Sequence, residues 1–145
     1  MLQDFIDTGK LGPIYLGISK RELQSILGPA EATSDERKGL EIWKFHDLQV
    51  ALYQDAVYFI GVYVTNDSIK LPPPLKFDDQ ALAQIMRLEG LKKFLMAEDL
   101  EFNIDDKLTF DDQACLRIMG VMGAKIHLIF GDEKLRTIQV TEHSG

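Results

Sequence analysis

Leu48-Gln49-Val50-Ala51-Leu52-Tyr53-Gln54-Asp55-Ala56-Val57-Tyr58-Phe59-Ile60-Gly61-Val62-Tyr63-Val64 decides how this chain folds. Two apolar runs flank a short polar gap at Gln54-Asp55-Ala56. The pattern predicts strands over 48–54 and 57–64 joined by a hairpin. A strand over 41–46 precedes them. In the second run, Tyr58, Ile60, Val62 and Val64 alternate with Val57, Phe59, Gly61 and Tyr63. Both sets are apolar or aromatic, as in a central strand or a strand with a binding face.

Upstream, Ile18-Ser19-Lys20-Arg21-Glu22-Leu23 carries a helix start. Ser19 stands at the N-cap and Glu22 three residues on, the two ends of a capping box. Ile18 and Leu23 occupy the positions of a hydrophobic staple. Leu23, Ile26 and Leu27 form the apolar stripe, and Gly28-Pro29 stops the helix, predicted over 19–27. Residues 2–8 suit a short amphipathic helix. Residues 30–40 are polar and read as a loop. Leu71-Pro72-Pro73-Pro74 is a stiff linker candidate. A helix over 87–97 follows, with 80–86 open between helix and loop. Strands are expected near 101–104, 114–119, 125–130 and 135–141.

The two halves share an order of helix, polar loop and strands with a closing hairpin. Val50-Ala51-Leu52-Tyr53-Gln54-Asp55 lines up with His127-Leu128-Ile129-Phe130-Gly131-Asp132, 77 residues on. With a one-residue slip, Val57, Ile60 and Val62 then match Leu135, Ile138 and Val140. The expected fold is α+β: two tandem helix-plus-antiparallel-sheet repeats sharing one sheet, with the helices packed on one face. An α-β-β-β repeat at 1–70, a linker at 71–86 and a second repeat at 87–145 would make one structural domain.

The run Leu16-Gly17-Ile18-Ser19-Lys20-Arg21-Glu22-Leu23-Gln24-Ser25-Ile26-Leu27-Gly28-Pro29 resembles the repeat opening of the SmpA/OmlA and β-lactamase-inhibitor-protein group. The resemblance implies tandem helix-plus-sheet repeats that bind a partner through an aromatic-lined sheet face. The chain departs from the group in lacking a secretion signal, a lipidation cysteine near its start and paired cysteines. A second likeness, in size, charge and α+β build, is to small acidic bacterial immunity proteins.

Composition excludes several classes. The net charge is −7, and Lys and Arg are scattered, so no phosphate-neutralising patch stands out. No run approaches a membrane span. The start, Met1-Leu2-Gln3-Asp4-Phe5, lacks the features of a signal peptide. One cysteine excludes an internal disulfide. These features lead us to expect a cytoplasmic protein with neither nucleic acid nor membrane as partner. Asp78-Asp79, Asp105-Asp106 and Asp111-Asp112 lack calcium-loop spacing and read as turns and caps. Cys115 reads as a small hydrophobe in a strand. His46, His127 and the tail residue His143 are too scattered for zinc. No metal, cofactor or catalytic residue is expected.

Parity gives the site. With Tyr58, Ile60, Val62, Val64, Val50, Leu52, Trp43 and Phe45 facing the helices, Lys44, His46, Gln49, Tyr53, Phe59 and Tyr63 face the other way. In the second half Leu116, Ile118, Ile126, Leu128 and Phe130 turn in. Cys115, Arg117, His127, Thr137 and Gln139 turn out. His46, Tyr53, Phe59, Tyr63, Arg117 and His127 are the predicted partner-binding residues, since interfaces favour aromatic and Arg anchors. The sequence thus predicts a non-catalytic protein-binding module of the immunity or inhibitor kind. The alternative is a self-associating domain that buries the same face in a homodimer.

Overall fold

The computed structural model describes residues 1–37 and 39–142. The elements run α1 (Leu2–Thr8), α2 (Lys20–Leu27), β1 (Ala32–Arg37), β2 (Leu40–Phe45), β3 (Leu48–Tyr53), β4 (Ala56–Tyr63), α3 (Asp79–Ile85), α4 (Leu88–Ala97), β5 (Phe102–Ile104), β6 (Gln113–Ile118), β7 (Ala124–Gly131) and β8 (Lys134–Glu142). The fold is α+β, with four α-helices and one eight-stranded antiparallel sheet among the described residues. Strand order is β1-β2-β3-β4-β8-β7-β6-β5. No described helix is long and apolar enough to cross a membrane.

Helix α2 starts at the expected N-cap, Ser19. Ser19 Oγ accepts the Glu22 N–H at 3.1 Å, and Ile18 and Leu23 are both buried. A second device anchors it. The Lys20 N–H, an orphan of the first helical turn, donates to the Asp55 carbonyl in the β3–β4 turn at 2.8 Å. The Val57 N–H donates to the Ile18 carbonyl at 2.9 Å. Helix α4 is held the same way: Leu88 N–H to Glu133 carbonyl at 3.0 Å, and Leu135 N–H to Met86 carbonyl at 2.8 Å. This explains how Arg87, whose side chain makes no cap hydrogen bond, can open a helix.

The hairpins share a register. Leu48↔Val62 and Val50↔Ile60 in β3–β4 recur as Ile126↔Val140 and Leu128↔Ile138 in β7–β8, every number 78 higher. Both turns use two residues with positive φ, Gln54-Asp55 and Asp132-Glu133. Each hairpin then carries one extra residue in its second strand. Leu52 pairs with Val57 and Ala51 with Phe59, which leaves Tyr58 over. Phe130 pairs with Leu135 and Ile129 with Thr137, which leaves Arg136 over. Val50 therefore matches Leu128, not His127, and the expected one-residue slip disappears. Strands β4 and β8 join the halves, from Phe59↔Thr141 to Tyr63↔Thr137.

One side of the sheet is the core. Trp43, Phe45, Leu48, Val50, Leu52, Ile60 and Val62 are buried, as are Leu116, Ile118, Ile126, Leu128, Phe130, Ile138 and Val140. Phe5, Ile6, Leu23, Ile85, Leu91 and Leu95 of the helices belong to the same cluster. Burial of this area is the main stabilising term.

Several expectations are corrected. Residues 32–37, read as loop, form strand β1, although 38 lies outside the described residues. β1 is an edge strand of polar sequence, Ala-Thr-Ser-Asp-Glu-Arg, so it offers no apolar alternation to detect. The stretch 71–86 is no free spacer. Leu75 and Phe77 are buried, the Phe77 ring lies 6.2 Å from that of Phe5, and α3 is capped by Asp78, whose Oδ1 accepts the Gln80 N–H at 3.1 Å. Each half carries two helices and four strands, more than the α-β-β-β grouping allows: the helix over 2–8 and the four strands of the second half were expected singly, β1 was not, and the open stretch 80–86 falls in helix α3. Tyr58 is not a core residue, because the bulge puts Val57 there instead. His143 lies outside the described residues.

The two helix starts differ in one testable respect. Ser19→Ala removes a capping hydrogen bond and should cost about 1 kcal/mol in urea unfolding. Arg87→Ala removes no cap bond and should cost clearly less. Equal losses would contradict the assignment.

Candidate functional site

The outward side chains of the sheet form a second face. Register places Asn103, Arg117, His127, Gln139, Gly61, Gln49 and Lys44 in one row across seven strands. The row is polar throughout except at Gly61. The gap at Gly61 has a steric cause. A Cβ there would lie 2.8 Å from Phe59 Cε1 and 3.1 Å from Tyr63 Cε2. The two rings therefore close over the glycine from either side along β4. An aromatic pair covering a strand glycine both fills the pleat and makes a flat apolar patch.

Among the described residues four cations stand on this face: Lys44, Arg117, Lys125 and Arg136. Lys44, Arg117 and Lys125 are placed by strand alternation. Arg136 is placed by its Nε, 2.9 Å from where a Gly131 Cβ would point. The four share the face with the Asp105 carboxylate, which meets His127 there.

Of the predicted residues, Phe59 and Tyr63 come together over Gly61, and Arg117 and His127 are direct cross-strand partners. Phe59, Tyr63, Arg117 and His127 are half-buried. Burial raises the Tyr63 hydroxyl above its usual pKa. Tyr53 is 50% exposed and stands apart at the hairpin end. It lines a 300 Å³ recess with Leu40, Tyr58 and Glu142. His46 is not on the face. It sits in the β2–β3 turn with φ 55, its N–H donating to Glu31 Oε2 at 2.7 Å.

Cys115 and Thr137, expected outside, are buried at 0% and 7% exposure. Both point to the outward side, but larger neighbours cover them. Thr137 pairs with Tyr63 on one flank and Ile129 on the other. Its hydroxyl has no hydrogen-bond partner among the described residues. Cys115 lies beside Asp105 and His127.

Asp105, which sequence reading took for a turn residue, just extends β5. Its N–H donates to the Cys115 carbonyl at 2.9 Å. Its carboxylate Oδ2 meets His127 Nε2 at 3.0 Å, and Oδ1 accepts the Lys107 N–H at 3.1 Å. The ligand atoms of Asp105, Cys115 and His127 all lie within 4.8 Å of one another. Burial works to raise the Asp105 carboxyl. The hydrogen bonds from His127 and from the Lys107 and Leu108 backbone, with the His127 charge, outweigh it and hold the carboxyl below its usual range. Burial, then the Asp105 charge, pushes the Cys115 thiol up to about 12. A thiol held protonated is a poor nucleophile, and the His127 nitrogen near it is already engaged by Asp105. An open cleft of about 410 Å³ lies alongside, lined by Asp105, Lys107, Arg117, Met119 and Lys125. Nothing in the spacing of residues 105, 115 and 127 announces this cluster, because the sheet register makes it.

Two predictions follow from this geometry. Gly61→Ala drives a methyl into the two rings and should cost about 1–3 kcal/mol. In a Phe59→Ala background the cost should shrink, and a double-mutant cycle in urea reads the difference. Asp105→Asn breaks a half-buried charge-assisted bond and should cost about 1–2 kcal/mol at neutral pH. A depressed carboxyl stabilises the fold above its unfolded value and loses that contribution as pH falls through the folded value. The wild-type advantage should therefore fade below pH 3.8, read by denaturation at a series of pH values.

No family model matches the chain, and no curated protein matches it. Among solved structures, it is similar to the 1.5 Å crystal structure of an extracellular protein containing an SCP domain from Bacillus anthracis str. Ames. The TM-score is 0.51 at 14% identity, over 88% of this chain and 44% of that one. The chain thus spans less than half the length of that protein, and at this identity the likeness concerns the fold alone.

Proposed function

We propose that this chain is a non-catalytic protein-binding module whose partner sits on the outward sheet face. One observation carries the reading: Phe59 and Tyr63 form an apolar patch over Gly61, in the middle of a polar row, on a face with four cations. Aromatic anchors at the centre with Arg and polar groups around them match interface anatomy. An eight-stranded sheet is about 34 Å wide. That is the scale of the ~800 Å² that a standard interface covers on each partner. Cations on the face favour an acidic partner surface, although the chain as a whole is acidic. Against a thiol nucleophile stand the Cys115 thiol, pushed up by burial, and the engaged His127 nitrogen.

The proposal includes a duplicated architecture, with helices on the opposite face. The constant 78-residue interval between the hairpins supports it, and so does the β4–β8 register. That register centres on Gly61↔Gln139. Adding the interval to Phe59 gives Thr137, and to Tyr63 gives Thr141. The pair Phe59↔Thr141 thus maps onto Tyr63↔Thr137, as a local two-fold would require. Helix anchoring repeats as well: Ser19 bridges Ala56, and Arg87 bridges Lys134. Tandem repeats with an aromatic sheet face are what the likeness to the SmpA/OmlA and β-lactamase-inhibitor-protein group implies. An immunity or inhibitor role is the form of binding we favour. A reducing, cytoplasmic setting suits the free thiol of Cys115.

The competing reading is a homodimer through the same face. Tyr53→Ala should leave the unfolding free energy within about 1 kcal/mol of wild type, and Tyr63→Ala should keep the wild-type circular dichroism spectrum. Each should lose at least tenfold in capture of a specific partner from the source cell's lysate. Undiminished capture by both variants would remove this face as the site. Sedimentation velocity across concentrations should give a monomer. A concentration-dependent dimer abolished by Tyr63→Ala would establish the homodimer instead.

A further inference from the structure

Asp105, Cys115 and His127 come from three neighbouring strands and bring an oxygen, a sulfur and a nitrogen within 4.8 Å of one another. We propose that this trio is a binding site for zinc or a similar borderline divalent ion, with a fourth coordination position open to the adjacent cleft. The donor set argues for the class of metal. Calcium and magnesium take all-oxygen shells. Thiolate with imidazole and carboxylate suits zinc and its neighbours. Tetrahedral zinc, with bonds of about 2.0–2.3 Å, holds its ligand atoms roughly 3.3–3.6 Å apart. The Asp105–His127 separation of 3.0 Å needs only a slight opening. Cys115 Sγ, within 4.8 Å of both, has at most roughly 1.2–1.5 Å to close by side-chain adjustment.

Two further observations point the same way. Cys115 is fully buried, yet among the described residues its thiol takes part in no hydrogen bond, although a carboxylate and an imidazole stand beside it. The other half of the sheet supplies an internal comparison. By register, the positions matching Asp105, Cys115 and His127 are Ser34, Ile42 and Gln49. The sheet accepts that set without three metal-type ligands, so sheet formation does not require the trio. The second shell is in place as well, since the Lys107 N–H holds the free carboxylate oxygen at 3.1 Å. Asp105, the member of the trio that lines the cleft, has a side chain 22% exposed, which leaves an approach from that side. On binding, the S–H bond of Cys115 breaks, a sulfur–metal bond forms and the proton passes to solvent.

The test is cobalt(II) titration of the whole, reduced protein. A sulfur-to-cobalt charge-transfer band should rise to one equivalent and be displaced by zinc. Cys115→Ser should abolish it, and His127→Gln should weaken affinity by about tenfold or more. Circular dichroism confirms that each variant is folded; if Cys115→Ser is not, His127→Gln decides. No band with wild-type protein, a band that persists in Cys115→Ser, or unchanged affinity in His127→Gln would overturn the site.

Discussion

The pairing of β4 with β8 is the constraint on which the rest depends. Five residue pairs, Phe59 to Tyr63 against Thr137 to Thr141, are the seam between the two halves of the sheet. A one-residue slip of β8 against β4 would turn Ile138 and Val140 out of the core and put Thr137 and Gln139 in, while Ile60 and Val62 stayed inside. All four inward residues are fully buried, so the hydrophobic set holds the register. The register then places Gly61 opposite Gln139 and the two rings over the glycine. Core and outward face are two consequences of one alternation.

The parts of the fold legible in the sequence were those written in local chemistry. Ser19 and Glu22 announced α2, and the polar gap at Gln54-Asp55 announced a turn. What escaped depends on partners distant in the chain. β1 is polar because an edge strand needs no apolar face. Arg87 starts α4 with no cap side chain, because the β7–β8 turn supplies a carbonyl. Tyr58 left the core because a bulge follows the turn, and alternation counted from Ile60 cannot see it.

The site was half legible for the same reason. Phe59, Tyr63, Arg117 and His127 fell on the outward face by parity. His46 did not, since the β2–β3 turn takes it out of the strand. Outward also proved different from exposed. Cys115 points out and is covered, because Asp105 arrives from β5 to bind His127 above that part of the sheet. Asp105 looked like a turn residue because its partner is 22 positions away. The sheet carries an aromatic patch at its centre, and a thiol, carboxylate and imidazole toward one edge.

The central claim is that the outward face is open in the isolated protein and available to a partner. A soluble paramagnetic relaxation agent tests it directly by NMR. Signals from Lys44, Gln49, Tyr53 and Gln139 should broaden strongly, while those of Val50, Ile60, Ile126 and Ile138 stay sharp. Uniform protection of both sets in dilute protein would mean that the face is already covered, and would contradict the account.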